Sequence, residues 1–307
     1  MSLTTIILAA GKSSRMLSLK SKLLFKISGD YIINYVYKAA STIKSKKIVC
    51  VLNNSSQQLQ DFIQKNKISS VEQKKPSGTA DAVNAALKSL PVNKKNNVLI
   101  LCGDVPFIEP ATLRKIISKL DNSDMCIGTY VQENPIGYGR IIRNNKQIIG
   151  IIEEKDATEK IKKINEINTG IICINEGVLR KFIGKINNKN IQKEYYLTDI
   201  VKLLSDNKYR VSSYTIKNGL ETMGINSKKD LVEIERKLLI KKAKALLNKG
   251  ALIRDVLRTD IKGDLKVQTD VEIDINCIFE DKVTIGSNTT IGHNCYLNRC
   301  KIGKNVH

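Results

Sequence analysis

Two short segments carry side chains that could handle phosphate chemistry. The first is Leu8-Ala9-Ala10-Gly11-Lys12-Ser13-Ser14-Arg15-Met16, with Lys22 following. It leaves an apolar run, turns at Gly11, and offers a row of backbone N–H groups, two hydroxyls and the cations Arg15 and Lys22. Amides that cradle oxygens and cations that neutralise charge suit a triphosphate. The spacing is neither the G-x-x-x-x-G-K-[ST] of a P-loop nor the dinucleotide G-x-G-x-x-G. The second segment is Leu101-Cys102-Gly103-Asp104-Val105-Pro106. An acid at the carboxyl end of a buried strand stands where open α/β sheets bind ligands. Mg²⁺ takes a few carboxylate oxygens alongside phosphate oxygens, so Asp104 is a natural ligand for it. On residue types alone, each segment also fits ordinary structure: a glycine turn beside two cations, and a helix-capping or turn Asp.

The elements that must position these groups follow from the hydrophobic pattern. Thr4–Leu8 reads as a short buried strand, residues 32–42 as a helix, and Lys47–Leu52 as a second strand. Ala82, Val83, Ala86 and Leu87 have helical spacing within 79–90. Residues 97–102 form a near-continuous apolar run. Such strands alternating with helices indicate a parallel sheet covered on both faces. Ser227, with Asp230 three residues later, is an acidic variant of the capping box, and Gly250 sits where a helix should end. A helix is therefore expected over 227–249, with Leu231, Ile234, Leu238 and Ala245 on its apolar face.

Beyond it the period changes. Ile273, Phe279, Ile285, Ile291 and Leu297 recur every six residues, and the count slips by one to Ile302. A hexapeptide repeat of this kind is the signature of a parallel β-helix, the aliphatic residue of each hexad pointing inward.

Composition narrows the function classes. The chain has 307 residues, enough for about two domains, and it carries a net charge of +21. Lys outnumbers Arg 41 to 10, and the Lys residues are scattered and rarely interleaved with aromatics. That pattern describes a solvated surface, not a nucleic-acid footprint. The longest early apolar run, Ile6 to Ala10, is far short of a membrane span, and no cationic segment precedes it. The seven cysteines show no C-x-x-C spacing and sit mostly in apolar runs, as expected of buried thiols in a reducing cytoplasm. With only two histidines, a zinc site or His-based triad has little material.

Taken together, these segments resemble the sugar-nucleotidyltransferases, which open with L-A-A-G-x-G-T-R-M…P-K and carry a G-D-V-P metal strand. Further segments resemble the bacterial bifunctional UDP-N-acetylglucosamine pyrophosphorylase/glucosamine-1-phosphate acetyltransferases. They are Gln73…Pro76-Ser77-Gly78-Thr79-Ala80-Asp81-Ala82, Pro135-Ile136-Gly137-Tyr138-Gly139-Arg140, residues 152–158, Glu166-Ile167-Asn168-Thr169-Gly170, and Glu194-Tyr195-Tyr196-Leu197-Thr198-Asp199. The similarity runs in order from residue 5 through the hexads. It implies an α/β fold: a Rossmann-like nucleotidyltransferase domain with a mixed, mostly parallel sheet over 1–226, a linker helix over 227–250, and a short left-handed parallel β-helix over 251–307.

The resemblance also implies roles. Leu8, Ala9, Ala10 and Gly11 pack on the nucleotide, and Arg15 and Lys22 are the catalytic cations on its phosphates. Gln73, Gly78 and Thr79 read the uracil edge. Cys102, Gly103 and Asp104 line the substrate side of the metal strand, with Asp104 and Asn226 as the Mg²⁺ ligands. Gly139, Glu153 and Asn168 grip the sugar. The expected substrates are UTP and N-acetylglucosamine 1-phosphate, in a cytoplasmic enzyme that resembles homotrimers. Neither nucleic acid nor membrane insertion is expected.

Three departures from the family pattern stand out. Ser13 and Ser14 replace Gly and Thr, so a strained positive φ is expected at Ser13. Ser21 replaces the Pro before Lys22, which should loosen the approach of that lysine. The chain also stops inside the hexads, before the acetyltransferase residues of the family, so acetyl transfer is not expected and trimer contacts should be weakened. Three other readings remain: a related sugar-phosphate nucleotidyltransferase with another base or sugar; a decayed, non-catalytic β-helix scaffold; and a nucleic-acid-binding protein, which rests on charge alone.

Overall fold

The computed structural model describes residues 2–11, 13–53 and 56–307. Contacts divide the chain into two compact units, residues 1–24 with 33–224 and residues 25–32 with 225–307.

The first unit is built on a mixed sheet. Its main path runs Val211–Thr215, Met125–Val131, Glu166–Asn175, Asn96–Cys102, Ser2–Leu8, Lys47–Leu52, Ser69–Glu72. Glu166–Asn175 is antiparallel to both its neighbours, and the remaining strands of this path share one direction. A hairpin, Arg140–Asn144 and Gln147–Ile152, branches from Glu166–Asn175. The central strands carry aliphatic runs, Ile6 to Leu8 and Val98 to Leu101, because both faces are covered: Val98 to Ile100 and Ile6 and Ile7 are fully buried. Helices Ile32–Thr42, Thr79–Lys88 and strand Lys47–Leu52 follow the hydrophobic pattern closely.

The chain leaves Ser2–Leu8 for Lys47–Leu52 on one side and later returns on the other side as Asn96–Cys102. The strand order therefore reverses between Ser2–Leu8 and Asn96–Cys102, whose carboxyl ends lie in register at Leu8 and Cys102. Open α/β sheets leave a crevice at such a point.

The opposite end of the sheet is fastened by Glu176, which is 2% exposed. Its carboxylate accepts from Arg180 Nε at 2.7 Å, Asn96 Nδ2 at 2.8 Å and Asn93 N at 3.1 Å. Burial pushes this acid toward its neutral form, but those hydrogen bonds and the Arg180 charge outweigh it and hold the carboxyl below the usual range. A depressed folded-state pKa contributes stability that is present above the unfolded value, near ~4.3, and lost as pH falls. Glu176→Ala is expected to cost about 3 kcal/mol at neutral pH. The gap from wild type should shrink below about pH 4, read as denaturant midpoints across pH; a gap independent of pH would refute the ionic role.

In the second unit, helix Lys228–Leu247 carries the expected capping box. Ser227 Oγ accepts from Asp230 N at 3.1 Å and Asp230 Oδ2 accepts from Ser227 N at 2.9 Å. Gly250 closes the helix with φ +93°. The buried face is Ile234, Leu238, Leu239, Ala243 and Leu246; the expected Ala245 is exposed. An apolar count skips Lys242, which occupies the face between Leu238 and Leu246 and satisfies its ammonium internally. Lys242 Nζ donates to Ser28 Oγ at 2.6 Å and Gly263 O at 2.8 Å.

Ser28 belongs to a hairpin, Lys26–Ile27 and Asp30–Tyr31, that joins this unit from far upstream. Its N–H donates to Glu235 Oε1 at 2.7 Å and its hydroxyl to Ile261 O at 2.6 Å. Gly29 has φ +91°, and a Cβ there would sit 2.5 Å from Lys262 O.

The hexads form parallel ladders. Thr259 pairs with Cys277, Val271 with Thr289 and Ile278 with Tyr296, each offset by eighteen residues. Thr284 pairs with Lys301, where the sequence count slips. Ile273, Phe279, Ile285 and Ile291 are buried in one cluster. Asn276, Asn288, Asn294 and Asn305 turn the chain at positive φ, a conformation Asn tolerates better than most residues. They also stack: Asn276 Nδ2 donates to Asn294 Oδ1 at 2.9 Å, and Asn288 Nδ2 to Asn305 Oδ1 at 2.8 Å.

Candidate active site

The crevice is assembled from strand ends. Gly103 N donates to Leu8 O at 2.9 Å and Ala9 N to Val51 O at 2.9 Å, so the ladder holds Leu8, Ala9 and Gly103 side by side. A Cβ on Gly103 would lie 3.0 Å from Leu8 O. Across this seam Lys22 Nζ donates to Asp104 Oδ2, a partly exposed ion pair. The two phosphate-chemistry segments are thus joined through their charged groups.

One sequence expectation about the loop needs correction. Ser13 has φ −82°, outside the left-handed region, and it carries no strain of that kind. Ser13 Oγ accepts from Lys22 N at 3.0 Å and ties the lysine back to the loop. Leu17, not Ser13, takes the left-handed turn, at φ +47°. Arg15 lies exposed on the one-turn helix Ser14–Met16, anchored by the fully buried Met16. Lys12 lies outside the described residues. A cavity of about 290 Å³ opens here, lined by Ala9, Gly11, Ser13, Ser14, Lys20 and Asn53 among others. Gly11 is exposed with nothing within 4 Å of a Cβ position, leaving its backbone open to approach.

Gln73, Gly78 and Thr79 come together at the start of helix Thr79–Lys88. Gln73 is 4% exposed; its Nε2 donates to Gly78 O at 3.0 Å and Asp81 Oδ2 at 2.8 Å. Gly78 has φ +129°, and a Cβ would fall 2.5 Å from both Tyr195 N and Tyr195 O. The backbone is sewn there: Tyr195 N donates to Ser77 O, Ala80 N to Tyr195 O, and Leu197 N to Thr79 Oγ1. Gly78→Ala is accordingly expected to cost more than about 2 kcal/mol and to weaken nucleotide binding with it. Thermal melts with and without UTP would check this; a wild-type melting temperature would refute it.

Gly139, Glu153 and Asn168 also converge. Asn168 N donates to Gly139 O at 2.8 Å, and a Cβ on Gly139 would lie 3.2 Å from Glu153 Oε2. Glu153 Oε1 accepts from Thr198 Oγ1 at 2.9 Å. Burial raises the Glu153 pKa above the ordinary value, with Asp199 and Asp156 adding to the rise and Thr198 opposing it. Thr198 shares a segment with Tyr195 and Leu197, so one stretch of chain braces both the Gln73–Thr79 end and the Glu153 end. The sequence displayed that stretch as a motif without indicating its bracing role. Arg140, 1% exposed, does the same for the neighbouring turn through Glu154 Oε2 at 2.7 Å.

Cys102 faces Gly170, whose Cβ position is 2.7 Å from its Sγ. Burial, with Asp104 adding, pushes this thiol up to about 12, so it is a neutral packing group. The cysteines are all free thiols.

Mg²⁺ commonly binds through one or two carboxylates plus substrate phosphates, without an all-protein cage. Among the described residues no cluster of three or more His, Cys, Asp or Glu could hold a metal. Asp104, a single carboxylate at the phosphate loop, fits the first kind of site. Asn226 lies in the second unit, where its N–H donates to Asp230 Oδ2 at 2.9 Å. Among the described residues no helix is long and apolar enough to cross a membrane.

A doubly wound sheet with a cationic loop and an acid at its switch point is built to bind a ligand at its strand ends, and the comparisons name the class. The model of the MobA-like NTP transferase domain matches residues 5–164, and the chain belongs to that family. Within it, the chain is similar to the bifunctional protein GlmU of Marinomonas sp. (strain MWYL1), 37% identical over 302 residues, 98% of this chain and 66% of the relative. GlmU of Ruthia magnifica subsp. Calyptogena magnifica is 39% identical over 298 residues, 97% of this chain and 65% of the relative. The chain thus spans just under two thirds of the length of these curated relatives. Among solved structures, a putative glucose-1-phosphate thymidylyltransferase from Bacillus anthracis superposes with TM-score 0.61 at 17% identity, covering 76% of this chain and 94% of that one. The inositol-1-phosphate CTP transferase from T. maritima gives 0.60 at 17% identity, covering 76% and 95%. At that identity the two establish the fold alone.

Proposed function

We propose that this chain transfers a uridylyl group from UTP to N-acetylglucosamine 1-phosphate, giving UDP-N-acetylglucosamine and pyrophosphate. The observation that carries this reading is the Lys22–Asp104 pair at the adjoining carboxyl ends of Ser2–Leu8 and Asn96–Cys102. It has support on two sides: the hydrogen-bonding groups at Gln73–Thr79, and the convergent Gly139, Glu153 and Asn168. A phosphate oxygen of the sugar phosphate attacks the α-phosphorus of UTP. The bond from that phosphorus to the β-phosphate bridging oxygen breaks, and pyrophosphate leaves in line. The residues position and neutralise; they form no covalent bond with substrate. Lys22 and Arg15 hold the phosphates, and Leu8 to Gly11 pack on the nucleoside. Asp104 would hold Mg²⁺, which would supply further charge neutralisation when bound. Glu153 and Asn168 hold sugar hydroxyls and the acetamide.

In the same reading, residues 1–226 are the nucleotidyltransferase domain, 227–250 the linker, and 251–307 coils of a left-handed β-helix. The protein works in the cytoplasm as a trimer, and its product feeds bacterial cell-wall and lipopolysaccharide synthesis. The proposal concerns nucleotidyl transfer only. The test is pyrophosphate release from UTP and Mg²⁺ with and without N-acetylglucosamine 1-phosphate. Release that depends on the sugar phosphate is expected; release independent of it, or none, would overturn the reading.

A further inference from the structure

We infer that Asp81 is a specificity-determining positioning residue: it fixes the side-chain amide of Gln73 in one orientation, so that the site selects a pyrimidine carrying a proton at N3. The inference rests on the proposed nucleotide site and adds to it the residue that decides which base is accepted.

A glutamine amide is two-faced, with NH₂ a donor and C=O an acceptor. A free Gln73 could match either uracil, whose N3–H donates, or cytosine, whose N3 accepts. The structure removes that freedom. Gln73 Nε2 donates to Gly78 O at 3.0 Å and to Asp81 Oδ2 at 2.8 Å. Both partners are acceptors only. A flipped amide would set Oε1 against two oxygens and leave three lone-pair groups facing one another in a site where Gln73 is 4% exposed. Unmatched polar groups of this kind are costly when buried.

Neither acceptor can move aside easily. Gly78 O also accepts from Ala82 N at 3.2 Å, within the first helical turn, and Gly78 itself is held against the Tyr195 backbone. Asp81 sits on that same first turn. The Gln73 backbone is fixed as well, its N–H donating to Leu52 O at 2.7 Å. With both amide hydrogens engaged, the group Gln73 retains for a ligand is Oε1, and none of the described residues donates to it. An acceptor alone pairs with the N3–H of a 4-oxopyrimidine and repels the N3 lone pair of cytosine.

Asp81→Asn tests this with little change of shape. The introduced amide can turn its own NH₂ toward Gln73 Oε1, which makes the flipped glutamine tolerable and leaves Nε2 free to meet cytosine. Equilibrium dialysis of UTP and CTP, in the presence of Mg²⁺, would be run on wild type, Asp81→Asn and Gln73→Leu. Wild type should prefer UTP. Asp81→Asn should cut that preference about tenfold, the scale of one hydrogen bond, mainly by gaining CTP affinity. Gln73→Leu should lower UTP affinity without raising that for CTP. A merely structural role for Asp81 would weaken both nucleotides alike and leave the ratio unchanged, which would overturn the inference. If Gln73→Leu shifts the ratio and Asp81→Asn does not, the base site stands and the role of Asp81 falls. If wild type binds the two nucleotides equally, the base site itself falls.

Discussion

Asp104→Asn should lower turnover by about 10²–10³-fold, the usual cost of losing one transition-state electrostatic group, with the melting temperature little changed. The side chains are nearly isosteric, and the backbone around Asp104 is held without its carboxylate, through Gly103 N to Leu8 O and Val105 N to Cys102 O. What the variant loses is the negative charge that pairs with Lys22 in the structure and that would meet Mg²⁺ in the loaded enzyme. Raising Mg²⁺ should recover little of the rate, because an amide oxygen is a poor substitute for a carboxylate toward a hard dication. Turnover near wild type at saturating Mg²⁺ would refute the assignment. The measurement is pyrophosphate release against a Mg²⁺ titration.

Lys22→Ala should cost a similar factor, about 10²–10³-fold in kcat, and for a reason that can be separated from loop disorder. The loop is tied at Lys22 by its backbone N–H to Ser13 Oγ at 3.0 Å, a contact the alanine keeps. The loss therefore reports the ammonium. UTP affinity should fall less than kcat, since the charge on the departing pyrophosphate grows in the transition state. Lys22→Arg should recover only part of the rate, because a planar guanidinium does not reproduce a compact point charge. The double variant with Asp104→Asn should lose less than the product of the two single losses, as residues in direct contact do. Single-turnover rates would show this; an unchanged kcat in Lys22→Ala would remove Lys22 from the chemistry.

Much of this fold was legible because it is written locally. The strand Lys47–Leu52 and the Ser227–Asp230 box each depend on residues a few positions apart. The hexads announce their own period, slip included. What was not legible depends on distance. Ser28 pairs with Glu235 and Ile261, and nothing near Ser28 predicts it. Lys242 looks like a solvated charge in the sequence, yet its half-buried ammonium donates to Ser28 Oγ from far along the chain. Within the site, matching motifs locate Gln73 and Glu153 but not the roles of Asp81 or Thr198, which lie in the orientation they impose on those groups. The Ser13 and Ser21 departures look damaging one at a time. In the structure the serine at 13 supplies a hydroxyl that accepts from Lys22 N.

The hairpin Phe25–Ile32 has a consequence for the order in which the protein is made. It follows directly on the Lys22–Leu24 turn, yet its partners lie in the second unit. Ser28 and Glu235 are separated by 207 residues. At translation rates of about 5–20 residues per second, the hairpin waits some 10–40 s for the helix and coil that will bury it. Throughout that interval the hydrogen bonds of Ser28 to Glu235 and Ile261 cannot form. The hydrogen-bond partners of Ser28, namely Glu235, Lys242 and Ile261, are thus made long after both side chains of the Lys22–Asp104 pair have been synthesised.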